Sequence, residues 1–207
     1  MDDEAPFTLD DAGLHAFCAT KGHTFWFLNS ATDDYAAARH SLNAGLMAGF
    51  HLAALAVEKY LKGFVMLAGG NAQARHDTRK LIEAATNAGL RLSPEHRQTV
   101  DRLARHYVAR YPDVDDAHFS RTTAELDAID DLVATINEQL PCPPEVALRS
   151  GLFAAITFHV DHAGHLSPTE AAVMHGNGRL APLQARAVAR FLEWCRFTGA
   201  ELAPHEP

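Results

Sequence analysis

Residues 51–70, which read HLAALAVEKYLKGFVMLAGG, are the most informative part of the chain. Apolar side chains recur there at intervals of three or four residues, which places them on one face of an α-helix. The stripe begins one residue before the stretch and consists of Phe50, Ala53, Val57, Leu61 and Phe64. The glycine pair at its end suits a helix stop. This pattern predicts one core-facing helix from about Leu46 to Ala68.

Helical signals continue on both sides of this segment. Ser30 or Thr32 is suited to cap a preceding helix that begins near residue 30. Three further helices are predicted over 77–88, from Ser93-Pro94 to about residue 110, and from Ser120 onward. We therefore expect an all-α fold, an antiparallel bundle of about five helices over residues 30–140. An N-terminal arm over residues 1–29 would precede it.

Prolines at positions 141, 143 and 144 mark the predicted boundary of a C-terminal extension over residues 141–207. Residues 145–159 are apolar enough for a helix, although the run Ala155-Ile156-Thr157-Phe158 leaves a strand open. Residues 182–197 carry a clear helical stripe of apolar side chains. The extension is therefore expected to be mostly helical.

Charge and cysteine usage restrict the class of protein. Of the 207 residues, 26 are acidic and 18 are basic, a formal charge of -8, which disfavours extended nonspecific nucleic-acid binding. Cys18, Cys142 and Cys195 form no CxxC pair and suit a reducing cytoplasm. The N-terminus is acidic, unlike a secretory signal, and charged residues interrupt the apolar stretch 44–68. We expect a cytoplasmic protein that does not span a membrane.

Several residues occur in an order and spacing that resemble the HEPN domain family. A first helix of that family carries a Tyr and an Arg, and the next reads roughly A-x-E-K-x-L-K. A loop His then opens the third helix, and Arg-Tyr-Pro follows the fourth. The matching residues, spread over about 30–138, are Tyr35 and Arg39; Ala56, Glu58, Lys59, Leu61 and Lys62; His76 and Leu81; and Arg110, Tyr111 and Pro112.

The resemblance implies a HEPN-like module that is noncatalytic and binds a nucleotide or a partner protein. Its expected ligand residues are Arg39, Glu58, Lys59, Lys62, His76, Arg79, Arg110 and Tyr111. Cationic side chains of this kind bind phosphate. No Walker-type loop follows Gly69-Gly70, and no cofactor is expected. The expected partners are a separate nucleotidyltransferase or antitoxin protein, and a second copy of the chain in a homodimer.

Each of these residues also has a purely structural interpretation. Glu58 and Lys62 are four residues apart and suit a helical ion pair on the surface. Tyr35 and Arg39 suit a packed pair with the same spacing. His76 suits a helix start, and Tyr111 suits a buried ring beside a helix-ending proline.

The first alternative function is a divergent HEPN ribonuclease, the toxin of a toxin–antitoxin pair, which would bind RNA. Ribonuclease members carry Arg and His separated by four to six residues. Only Arg91 and His96 have this spacing, and they fall on a loop and the turn after it. Arg102 and His106 are separated by three residues on one helix, so they are the alternative catalytic pair. The second alternative is a scaffolding bundle with no ligand.

The extension contains His159, His162 and His165, which suggest an alternative metal site. A three-residue step places neighbouring histidines near one helix face, but the first and last then diverge. The spacing matches neither HExxH nor a zinc finger. The simpler interpretation is that the histidines are scattered on a polar loop.

Overall fold

The computed structural model describes residues 6–72, 77–108 and 123–199, except for the side chains of residues 107, 108 and 123. Within these ranges every regular element is helical, which confirms the all-α prediction. The helices are α1 (Asp11–Thr20), α2 (Gly22–Asn43), α3 (Ala48–Leu67), α4 (Thr78–Asn87), α5 (Pro94–Val108), α6 (Thr123–Glu138), α7 (Pro144–Leu148), α8 (Gly151–Asp161), α9 (Pro168–Met174) and α10 (Leu180–Thr198).

The pair formed by α2 and α3 makes the most extensive helix–helix contact of the fold. Small residues allow the two backbones to approach closely. A Cβ atom added at Gly49 would lie 2.9 Å from the carbonyl oxygen of Ala38, and one at Gly63 would lie 2.6 Å from Cδ2 of Leu28. Since both distances are shorter than ordinary van der Waals contact, a side chain at Gly49 would clash with backbone, and one at Gly63 would force the Leu28 side chain to shift.

Helix α2 begins about eight residues before the start near residue 30 that the capping signals predicted. Helix α2 begins at Gly22, next to the end of α1, and the N-cap residue Lys21 makes no side-chain capping bond. The predicted cap residues therefore lie inside α2. Ser30 accepts a bond from Lys59, and the hydroxyl of Thr32 donates to the carbonyl of Leu28. Much of the predicted N-terminal arm is consequently helical.

The central helices follow their local signals more closely. Helix α3 lies within its predicted span, and α4 begins where the carboxylate of Asp77 accepts the backbone N–H groups of Arg79 and Lys80. Helix α5 begins at the predicted Pro94. Helix α6 is described from Thr123, and the predicted start at Ser120 lies outside the described residues.

Every regular element in the described part of the C-terminal extension is a helix, and residues 151–161 form α8 rather than a strand. Helices α8 and α9 both contact α2, and α10 packs on α8. Apolar side chains of the extension, among them Leu152, Ile156 and Trp194, belong to the same buried cluster as the side chains of α2 and α3. The extension therefore covers one side of the bundle.

A buried carboxylate holds the start of the described chain against the extension. One oxygen of Glu145, a fully buried residue in α7, accepts the backbone N–H of Thr8 at 2.9 Å and that of Leu9 at 2.5 Å. The Thr8 hydroxyl donates to the same oxygen. These bonds fix the segment that leads into α1.

Candidate functional site

Arg39, an expected ligand residue, lies in the core. Its guanidinium forms an ion pair with Asp130 of α6 and donates to the carbonyl oxygen of His175 at 2.6 Å. The hydroxyl of Tyr35 donates to the other oxygen of Asp130 at 2.6 Å and accepts a bond from the side-chain amide of Asn177 at 3.1 Å. We call these five residues the Arg39 network.

Burial determines the electrostatics of the Arg39 network. Arg39 and Tyr35 are fully buried, and Asp130 is nearly so. Burial raises the pKa of Asp130, although hydrogen bonds from Arg39 and Tyr35 act in the opposite direction. Burial also raises the pKa of Tyr35 well above its ordinary value. The network ties α2 to α6 and to the residues after α9, and Arg39 presents no surface to a ligand.

Lys59, the second expected cation, lies between α3 and α2. Its ammonium nitrogen is 2.6 Å from a carboxylate oxygen of Asp34 and 2.7 Å from the Ser30 hydroxyl. It also lies 5.9 Å from the centre of the Trp26 ring, within the range of a cation–π contact. The positive charge of Lys59 is therefore largely compensated within the protein.

Lys62 forms the predicted ion pair with Glu58, with a nitrogen–oxygen distance of 2.8 Å. The pair is not a solvated surface pair, because the side chains of Lys62 and Glu58 are only 5% and 13% exposed. The ammonium group also lies 5.7 Å from the centre of the Phe27 ring. A ligand would have to displace this packing to reach Lys62.

Trp26 is the exposed aromatic residue that sequence reasoning missed. It is 58% exposed, and its ring meets Phe27 edge-on at 5.1 Å between centroids. It belongs to the solvent-facing stripe of α2, which consists of Trp26, Asn29, Asp33, Ala37 and His40. The helical spacing of this stripe is readable from sequence once α2 is known to begin at Gly22. Leu55, one turn before Lys59 on α3, is partly exposed on the neighbouring helix.

Arg79 lies away from the two lysines, on a groove between α4 and α5. Its side chain is 86% exposed and 3.8 Å from Asp101. Arg97 lines the same groove and donates to the Thr86 hydroxyl at 3.4 Å. The groove has a volume of about 370 Å³, and its floor includes Ile82. Arg97 was not among the predicted ligand residues.

The expected cations within the described ranges lie in separate parts of the fold. His76, Arg110 and Tyr111, the remaining expected ligand residues, lie outside the described residues. Of the other expected cations, Lys59 and Lys62 are paired with carboxylates on α2 and α3, Arg39 is in the core, and Arg79 is on the α4–α5 groove. These four side chains do not form one connected pocket.

Arg102 and His106, the alternative catalytic pair, line one small cavity of about 10 Å³ together with Glu125. His106 is 4% exposed and stacks on Phe50 with 4.1 Å between ring centroids. The Arg102 guanidinium donates to the Thr99 hydroxyl at 3.0 Å and lies 3.6 Å from the carboxylate of Glu125. A cavity of this size holds about one water molecule.

The electrostatic surroundings keep His106 neutral. Burial, followed by the neighbouring His51, Arg105 and Arg102, lowers its pKa to about 4. A neutral imidazole can accept a proton, but at neutral pH it has none to spare as an acid. Arg102 and His106 therefore lie close together. The cavity that they share among the described residues is too small to admit a ligand larger than water.

The pair that matches the ribonuclease spacing is held in other contacts. His96 accepts the backbone N–H of Ser93 at Nδ1, and its Nε2 lies 2.7 Å from Asp131. The backbone N–H of Arg91 donates to the side chain of Gln139. His96 therefore links α5 to α6.

The three histidines of the extension do not come together. His159 lies on α8, with Nδ1 2.5 Å from the buried Glu170, and His162 stacks on Phe158 at 3.5 Å between centroids. His165 is exposed. Across residues 6–72, 77–108 and 123–199, no group of three or more His, Cys, Asp or Glu side chains is arranged to hold a metal ion. His159 therefore lies on α8 and not on a loop, and the three histidines have separate surroundings.

The fold and its contacts define an all-helical bundle in which the expected ligand cations Arg39, Lys59 and Lys62 form ion pairs within the protein. A family model described as the HEPN domain matches residues 25–137, which is more than half of the chain. The chain therefore belongs to the HEPN domain family. No curated protein and no solved structure matches it. Among the described helices, none is long and apolar enough to cross a membrane.

The Arg39 network generates the first prediction. Asp130→Asn removes the negative charge beside a fully buried guanidinium, and we expect a loss of about 3–5 kcal/mol in the free energy of unfolding. Urea unfolding measures this loss. Asp127→Asn, at an exposed position on the same helix, should change it by less than about 0.5 kcal/mol. Equal effects of the two substitutions would contradict a structural role for the ion pair.

The lowered pKa of His106 generates the second prediction. Since the pKa in the folded state lies below the ordinary value of 6.5, protonation favours unfolding. The contribution of His106 to stability is therefore complete above pH 6.5 and is lost as the pH falls towards 4, by up to about 3 kcal/mol. Urea unfolding of wild type and His106→Leu at several pH values measures the difference.

The comparison with His106→Leu isolates this contribution from that of the carboxylates, which titrate in both proteins. As the pH falls, the free energy of unfolding of wild type should decrease relative to that of His106→Leu. A constant difference from pH 7 to pH 4 would mean that His106 is not buried as a neutral ring.

Proposed function

We propose that this HEPN protein is a noncatalytic binding module that recognises a partner protein through one exposed surface. We call this surface the Trp26 face and define it by Trp26, Asp33 and Asp34 on α2 and by Leu55 and Lys59 on α3. The observation that carries the proposal is the 58% exposure of Trp26. A large exposed ring of this kind gains free energy when another surface covers it.

The Trp26 ring is held in place before a partner arrives. Its edge contact with Phe27 and the ammonium group of Lys59 above it both restrict the side chain. A side chain ordered in advance loses less entropy when it binds. Tryptophan is also among the residues that most often dominate the binding energy of protein interfaces.

The charge of the Trp26 face favours a partner with basic residues around an apolar pocket. Asp33 is exposed, whereas the charge of Lys59 is compensated by Asp34. The whole chain carries a formal charge of -8. Complementary charge accelerates association and selects among partners. A separate nucleotidyltransferase or antitoxin with a basic surface fits this description, whereas a homodimer through the same face would bring two acidic surfaces together.

The noncatalytic part of the proposal is supported by the surroundings of His106. A ribonuclease needs Arg and His side chains that reach a scissile phosphate. Here the cavity shared by Arg102 and His106 is about 10 Å³, and Phe50 covers one face of the imidazole. This arrangement suits a packed ring better than an acid–base catalyst.

A second candidate function is nucleotide binding in the groove between α4 and α5. The observation that favours it is the state of Arg97, which bonds a neutral hydroxyl and has no carboxylate partner within the described ranges. Arg79 extends from the opposite wall. Two guanidinium groups beside a groove of about 370 Å³ can bind a phosphate and leave room for the rest of a nucleotide.

The third prediction concerns the Trp26 face. Trp26→Ala should weaken partner binding by about 2 kcal/mol or more, roughly thirtyfold in Kd, because it removes the proposed anchor. A photo-crosslinking amino acid at position 23, which is exposed one turn before Trp26, would first capture the partner in cells. Titration calorimetry with the purified partner then measures the Kd of wild type and variant.

The matched control is Leu166→Ala, because Leu166 is 62% exposed and lies on the extension. Its Kd should equal that of wild type, and a crosslinker at position 165 should not capture the same partner. Light scattering distinguishes a second copy of the chain from a different protein. If Trp26→Ala binds the captured partner as tightly as wild type does, the Trp26 face is not the interface.

The fourth prediction concerns the second candidate. Thermal unfolding with millimolar ATP, GTP or CTP should show a raised midpoint for a nucleotide that binds, since ligands stabilise the state to which they bind. Arg97→Gln should remove the shift. Arg196→Gln, an exposed position on α10, should retain it. No shift with any nucleotide, or an equal shift in both variants, contradicts nucleotide binding in this groove.

A further inference from the structure

A cavity of about 320 Å³ lies where the end of α6 meets α7, α8 and α10. We propose that it binds a small uncharged organic molecule whose body is mostly hydrocarbon. The site is separate from the Trp26 face and from the α4–α5 groove, and it depends on neither function proposed above. Its volume falls at the lower end of the range of about 300–1,000 Å³ that is typical of small-molecule sites.

Apolar side chains supply much of the cavity wall. Leu140, Leu148 and Leu183 are buried in the fold and line the cavity, and Phe153 adds an aromatic surface. Apolar surface that faces a water-filled space gains free energy in proportion to the area that a ligand covers. The wall therefore favours the hydrocarbon part of a ligand.

The charged side chains on the wall are paired within the protein. Glu138, Arg186 and Arg190 are the charged residues that line the cavity among those that the structure describes. Arg186 forms an ion pair with Glu138, and Arg190 lies 2.7 Å from a carboxylate oxygen of Glu193. The Arg190 guanidinium also lies 4.2 Å from the centre of the Phe7 ring. Each of the three charges therefore already has a partner of opposite sign.

The groups next to these pairs keep the balance of charge. Arg179 lies 3.1 Å from the other oxygen of Glu138, and its charge is matched by Asp131, 2.6 Å away. Cys142, also on the wall, adds no negative charge, because burial and the nearby Glu145 raise the pKa of its thiol to about 12. The surroundings of the cavity therefore supply no excess of either sign to a ligand.

The balance of charge decides which ligands the cavity favours. A charged ligand would leave water without gaining a partner of opposite sign, and burying an unpaired charge is strongly unfavourable. An uncharged ligand avoids this penalty and keeps the gain from the apolar wall. The same carbon chain should therefore bind more tightly with a neutral end than with an anionic or a cationic one.

The test uses the full chain and three probes of equal chain length: 1-octanol, octanoate and octylammonium. Calorimetry should show the tightest binding for octanol, about tenfold or more tighter than for either charged probe. Methyl NMR spectra should show shifts at Leu140, Leu148 and Leu183 on addition of octanol. These shifts distinguish the cavity from general binding to the surface.

One pair of variants tests the volume of the cavity. Ala147 lines the cavity from α7, so Ala147→Phe fills part of it and should weaken octanol binding by about tenfold or more. Ala185→Phe adds the same side chain at an exposed position on α10. It should bind octanol like wild type.

A second pair tests the balance of charge. Glu138→Gln leaves the Arg186 guanidinium without its carboxylate, so it should tighten octanoate about tenfold and leave octanol unchanged. Asp127→Asn, at an exposed position on the same helix, should change neither affinity. Octanoate that binds wild type as tightly as octanol, methyl shifts elsewhere, or equal effects of either variant and its control would each overturn the proposal.

Discussion

The packing of the described helices depends on the ion pair between Arg39 of α2 and Asp130 of α6. A guanidinium that is fully buried must be neutralised and hydrogen-bonded, or the fold becomes much less stable. Asp130 forms the ion pair with this guanidinium, and the carbonyl oxygen of His175 accepts a further bond from it. The Tyr35 hydroxyl donates to the other oxygen of Asp130. Hydrophobic burial alone is non-directional. The ion pair penalises every packing of the helices that would separate its members, because either charge would then be buried without a partner.

The cations that carry the HEPN resemblance have structural roles in this chain. Arg39 stabilises the core, and Lys62 is buried with Glu58 and the Phe27 ring. Lys59 is compensated by Asp34. The residues that carry the HEPN resemblance therefore specify the α2–α3 pair before they specify a ligand. Trp26 and Arg97, which are both exposed, are not among the residues that carry the resemblance.

Local physics explains which features could be predicted from the sequence. Helix α3 was predicted from its apolar spacing and the glycine pair at its end, and α4 and α5 from signals within a few residues of their ends. The start of α2 was not, because Lys21 gives no capping signal and Ser30 and Thr32 resemble caps in the middle of a helix. Trp26 was missed for the same reason, since its place on an exposed stripe depends on where α2 begins. The bulk of α2 was still predicted.

Contacts between distant residues could not be predicted. Asp130 lies 91 residues after Arg39, and Asn177 lies 142 residues after Tyr35. A single sequence contains no signal that joins such positions. The bond between His159 and Glu170 could not be predicted either. It joins α8 to α9 through a histidine that the sequence placed in a possible metal motif. The three histidines are evenly spaced in the sequence, but His159 contacts Glu170, His162 stacks on Phe158 and His165 is exposed.

Hydrogen bonds between α2 and the C-terminal extension show that the extension is part of the same folded unit as the bundle. The family match ends at residue 137, yet two groups of the Arg39 network, the His175 carbonyl and the Asn177 amide, come from beyond it. The backbone N–H of Gly151 also donates to Asn29 on α2. Without these contacts, polar groups of Asn29, Tyr35 and Arg39 on α2 would lose their partners in the extension, while Arg39 would keep its ion pair with Asp130. The family segment of this chain therefore requires the extension to complete its own core.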